Sequence, residues 1–179
     1  MPYIIALLGL LAGSYFWIIR ARAAADATRE LTGVAQDVMA AARRFGFRRK
    51  TNIHPVETLE EPDVAIAGAG IAFLELGGLP SAEQQDRLIA SLQSHLGQSQ
   101  GKAEEALVLG RWLVSECGGA QPGFARLTRR LYKLRGAESF QPLMAVLKEV
   151  AASGRDGAVS TRQGEALAEI ASLYRINAG

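Results

Sequence analysis

The side chains that could carry chemistry are few and far apart. The chain has two histidines, His54 and His95, and one cysteine, Cys117. A general base or an activated nucleophile needs a partner within hydrogen-bond reach. No Gly-rich phosphate loop, metal-ligand cluster or nucleophile elbow accompanies these three residues. His54 lies in a proline-bounded stretch and His95 near a predicted helix end. Cys117 precedes Gly118-Gly119 at a predicted helix carboxy terminus, the pole that disfavours a thiolate. A lone cysteine also excludes an internal disulfide and a multi-cysteine metal site. The expectation is a protein without catalysis and without a cofactor.

Groups suited to surface recognition are more concentrated. Arg43-Arg44-Phe45-Gly46-Phe47-Arg48-Arg49-Lys50 places five cations and two phenylalanines within eight residues. Such a stretch can pair with anionic lipid headgroups while its rings enter the interface, or can meet an acidic partner. The bland alternative is a basic helix end favoured by the carboxy-terminal dipole. A second row, Arg126, Arg129, Arg130 and Lys133, recurs at helical spacing and reads as a docking patch or a solvated face. Near the amino terminus Gly9 and Gly13 form a G-x-x-x-G pair, which lets membrane helices approach closely. It suits packing against another membrane protein or against a second copy, a homodimer.

These groups must be positioned by elements the chain also suggests. From Pro2 to Ile19 no side chain is charged, and Arg20 and Arg22 follow at once. Eighteen helical residues reach about 27 Å, close to the roughly 30 Å of a bilayer core. Residues 1–19 are therefore expected to form a transmembrane helix. A cleavable signal peptide is the rival reading, since Ala21-Arg22-Ala23 has a small-x-small form, but no basic residue precedes the apolar run. The basic residues after the run place the amino terminus outside and the body in the cytoplasm. Residues 20–50 carry eight Arg/Lys against three Asp/Glu, whereas residues 51–179 carry twelve against fifteen. The basic excess thus sits next to the membrane, and no nucleic-acid footprint is expected on the body.

Residues 20–50 read as a basic amphipathic helix whose seam is Leu31, Val34, Val38, Ala41 and Phe45. That seam could lie along the membrane, pack on the body or meet a partner. Residues 51–61 read as a linker, and 62–179 as an all-helical domain. Pro62 opens a helix running to about Leu76 that is apolar nearly all round, with Gly68 and Gly70 leaving room for a close neighbour. Ser81 with Gln84 and Ser160 with Gln163 each form a capping-box pattern. Between them, helices are expected after the loop Gln98–Gly101, from near Pro122, and around Leu143–Val150.

Two stretches share one design. Gly77-Gly78-Leu79-Pro80-Ser81-Ala82-Glu83-Gln84 matches Asp156-Gly157-Ala158-Val159-Ser160-Thr161-Arg162-Gln163, each turning on glycine and launching a capped helix. With Ala152-Ser153-Gly154-Arg155 preceding the second, residues about 62–176 resemble the tellurite-resistance TerB-like family. That resemblance implies an all-helical bundle with an acidic turn in each half, implicated in binding a divalent cation. Here Gly77 stands where the first turn would have Asp, and Gln84 and Gln163 stand where Glu is frequent. Asp156 alone matches, so no metal site is expected. The overall expectation is a bacterial inner-membrane protein with a single span. It would act as an accessory subunit or assembly factor of a larger complex, respiratory or otherwise energy-transducing. The alternative is a TerB-like sensor or scaffold in envelope stress or tellurite resistance, in which a divalent cation would use Asp156.

Overall fold

A computed structural model describes residues 36–47, 52–153 and 158–176. The chain divides into two units, 1–37 and 38–179. Almost all described residues belong to the second, which is all-helical, with no strand among them. Among the described residues no helix is long and apolar enough to cross a membrane. The expected span 1–19, with Gly9 and Gly13, lies outside them.

The second unit is arranged around α2, Pro62–Leu76. Pro62 occupies the first turn, where its missing N–H costs no helical bond. Charge is confined to Asp63 and Glu75 near the two ends, and Val64 to Leu74 is buried without interruption. A helix apolar on every side must be surrounded. Its neighbours are α3 (Ala82–Leu96), α4 (Gln100–Glu116), α5 (Ala120–Arg135), α6 (Phe140–Ala152) and α7 (Thr161–Ile176). The largest contacts are with α4 and α5, while α3 and α6 pack mainly on each other.

Glycines on α2 set how close those neighbours come. At the crossing with α4, a Cβ on Gly110 would lie 2.7 Å from the Gly68 nitrogen and 2.8 Å from its Cα. The two backbones touch there. Leu127 of α5 leans into the same notch, and Leu88 of α3 fills the one at Gly70. The expected close neighbour of α2 is thus found, although Gly110, its other half, carried no signal in the sequence beyond its residue type.

Three boundaries differ from expectation. Ser99, not Gly101, marks the start of α4, its hydroxyl accepting from the Lys102 N–H at 3.4 Å. Gly101 is tolerated in that first turn because nothing crowds it. Helix α5 begins at Ala120, two residues before Pro122, which again sits in a first turn. The expected linker is folded: Pro55–Thr58 forms a 3-10 turn, and Val56 and Leu59 are 0% and 1% exposed.

Gly110→Ala tests the crossing. Alanine is favoured over glycine inside a helix by about 1 kcal/mol. Overpacking against rigid backbone costs about 1–3 kcal/mol, and the clash is expected to win. Gly164→Ala, where nothing lies within 4 Å, should instead stabilise by roughly 0.5–1 kcal/mol. Urea denaturation of both variants reads the opposite signs.

Candidate functional site

Residues 36–44 are helical and make α1, and its inner seam packs on the body. Ala41 and Phe45 are buried, and Val38 and Ala42 pack beside them. The chain closes α1 through Gly46, held at φ 63°, where a side chain would be strained. The Gly46 N–H donates to the Arg43 carbonyl at 3.1 Å and the Phe47 N–H to the Ala42 carbonyl at 2.7 Å. This pair of bonds is the Schellman arrangement, which satisfies carbonyls left over at a helix end. Phe-Gly-Phe is therefore a helix stop. Phe45 and Phe47, expected at a lipid or partner surface, turn inward: Phe45 is 7% exposed with the Lys102 ammonium 5.8 Å from its ring centre, and Phe47 meets Trp112 edge-on at 5.6 Å. Arg43 and Arg44 remain exposed, and Arg44 pairs with Glu105 at 2.8 Å. Arg48, Arg49 and Lys50 lie outside the described residues.

Beyond the cap the chain is pinned again. His54 Nδ1 accepts from the Val56 N–H at 3.3 Å, and its Nε2 lies 3.2 Å from the Glu116 carbonyl at the end of α4. Both bonds together require the neutral ring protonated at Nε2. The Arg130 guanidinium donates to the Leu59 carbonyl from Nε at 2.8 Å and also from Nη2. Lys133 lies 3.6 Å from Glu57. Of the row expected as a docking patch or a solvated face, Arg126, Arg129 and Lys133 are exposed and Arg130 is half-buried against its own chain. Arg130 and Lys133 hold residues 57–59, Arg129 reaches Glu169 of α7 at 3.3 Å, and Arg126 lies near Cys117. Only their fold-dependent partners, far off in sequence, distinguish this from a free basic face.

The two matching turns meet at one cleft of about 210 Å³. On one side, the Ser81 N–H donates to Gln84 Oε1 at 2.9 Å and the Gln84 N–H to Ser81 Oγ at 3.2 Å. On the other, the Ser160 N–H donates to Gln163 Oε1 at 3.0 Å and the Gln163 N–H to Ser160 Oγ at 3.2 Å. The second box does more. Gln163 Nε2 donates to the Phe73 carbonyl at 2.9 Å and Ser160 Oγ to that of Leu76 at 3.4 Å. The start of α7 therefore caps the end of α2, and Gly77 is bare because a Cβ would lie 2.8 Å from Gln163 Nε2.

This arrangement does not suit a divalent cation, which needs several oxygen ligands, mostly carboxylates. The Gln84 and Gln163 oxygens already accept backbone N–H groups, and Gly77 offers no side chain. Asp156 lies outside the described residues. Among the described residues no group of three His, Cys, Asp or Glu is placed to hold a metal.

His95, Cys117 and Glu75 lie away from this cleft's lining. His95 Nε2 lies 2.9 Å from Glu149, joining α3 to α6 at the surface. Burial raises the Cys117 thiol above its ordinary value, outweighing nearby Arg126, and Glu116 and Glu57 raise it further. The thiol is therefore poorly nucleophilic at neutral pH. Burial likewise raises the Glu75 carboxyl, with Arg111 opposing it. A carboxyl raised on folding binds its proton more tightly in the folded state, so its contribution to stability falls as pH climbs through the carboxyl range. Glu75→Gln is expected to raise the melting temperature at pH 7 and to leave it unchanged at a pH below that range. Melting curves across pH 3–8 check the sign.

Comparison with known proteins finds no family model, no characterised protein and no solved structure that matches this chain.

Proposed function

We propose that this is a non-catalytic, membrane-anchored interaction protein, an accessory subunit or assembly factor of a larger inner-membrane complex. Residues 1–19 form its single span, the amino terminus lies outside, and the body lies in the cytoplasm. The observation that carries the reading is the way the chain enters the body. Among the described residues, 38–47 and 52–59 are bound in by Ala41, Phe45, Phe47, Val56 and Leu59 and by the bonds of His54 and Arg130. A flexible tether would let a soluble domain sample many orientations. Packing of 38–47 against the core shortens any tether to the body, as suits a subunit that must present a defined face to a fixed partner.

The basic residues left outward, Arg43 and Arg44, with Arg48, Arg49 and Lys50 beyond them, favour an anionic lipid surface by about 1 kcal/mol each. Gly9 and Gly13 are the proposed contact in the membrane. The TerB-like reading, a sensor or scaffold in envelope stress or tellurite resistance, draws support from the two matching turns meeting at one cleft. It ranks second because the glutamines there are already engaged as caps.

The proposal is tested by replacing residues 2–19 with an unrelated Leu/Ala span and purifying the full chain in mild detergent. The chain should stay in the membrane but lose its co-purifying complex. Undiminished recovery of that complex would reduce the native segment to a tether.

A further inference from the structure

Leu79 is 99% exposed, the extreme among the large apolar side chains of the described residues. The backbone holds it out: Gly78 sits at φ 131°, Pro80 follows, and Ser81 begins the cap of α3. Leu79 stands at the rim of the 210 Å³ cleft, whose opposite rim carries Val159, also exposed. An apolar projection beside a recess on one face is what an isologous two-fold contact requires, since each copy must supply both halves.

Charge on the two rims has the same self-complementary form. Glu83 and Arg162 occupy equivalent places in the two matching turns, each exposed and each in or beside the first turn of its helix. Neither has an ion-pair partner among the described residues. Glu83 suits the positive end of α3, but Arg162 is at the wrong pole of α7. A carboxylate from another molecule would offset that repulsion. A foreign apolar segment would account for Leu79 and the cleft. A second copy uses Leu79, the cleft, Glu83 and Arg162 together.

We propose that this face is a self-association surface, with Leu79 of each copy entering the other's cleft against Leu74 and Val159, and Glu83 of each facing the other's Arg162. It is a contact of the helical body, separate from any pairing through Gly9 and Gly13.

The test uses the full chain in non-ionic detergent, with Cys117→Ser to remove the native thiol. Two differently tagged versions are co-expressed, one carrying Leu79→Cys and the other Val159→Cys, and the sample is mildly oxidised. A disulfide between the two tags is expected. Glu83→Arg in both versions should reduce it several-fold, and adding Arg162→Glu should restore it. All these positions except Cys117 are exposed, and unchanged melting curves will confirm that folding is intact. Absence of the inter-tag disulfide in the folded protein overturns the proposal, as does a disulfide indifferent to charge reversal. A dimer held only through the membrane segment would give the first of these results.

Discussion

Two glycine backbones in contact, Gly68 of α2 and Gly110 of α4, are the constraint on which the rest of the body depends. An α2 kept at ordinary helix distance from α4 would leave a gap along the most apolar surface of the chain. Bringing the backbones together closes it, and the other helices then have one compact object to cover. The notches of α2 divide the work. Gly68 receives α4 and Leu127 of α5, Gly70 receives Leu88 of α3, and Gly77 receives Gln163 of α7. Gly68 and Gly70, inside the helix, each cost about 1 kcal/mol of helix propensity. That cost is accepted because each notch fixes where a different neighbour lies.

The same economy governs the helix ends. Gln163 and Ser160 open α7 and close α2 with one set of side chains, so two helix termini far apart in sequence are fixed to each other. Gly46 ends α1 with Phe47 already turned toward Trp112. His54 and Arg130 then take the chain across the end of α4 and along α5 to Pro62. Residues 38–47 and 52–59 are thereby as much a part of the body as the helices that follow.

What could be read in the sequence was what local chemistry decides. The all-round apolarity of Pro62–Leu76, its glycine notches and both Ser/Gln boxes concern residues within a few positions of each other, and they appear as expected. The misreadings share a different cause. Phe45 and Phe47 beside five cations have the composition of an interfacial anchor, yet Gly46 between them makes a helix stop that turns both rings inward. The glycine was the legible signal. Residues 51–61 lack any helical period, which suggested a linker. Burial from Pro55 to Leu59 comes from single residues, Pro55, Val56 and Leu59, and from the Leu59 carbonyl taken by Arg130, none of which needs a period. Glu169, Leu59 and Glu57 are brought to Arg129, Arg130 and Lys133 only by the fold, and the sequence holds no sign of those partners. Leu79 between Gly-Gly and Pro is the converse case, an exposed side chain that its neighbours already announced.

The proposed function rests on residues 38–47 and 52–59 being rigidly part of the body, and hydrogen exchange on the full chain in detergent measures that directly. The hydrogen-bonded amides of Phe45, Gly46, Phe47 and Leu59 should open with free energies close to those of the central residues of α2, as one cooperative unit. Fast exchange across 38–47 and 52–59 while α2 stays protected would contradict the account, because the body would then hang from a flexible tether.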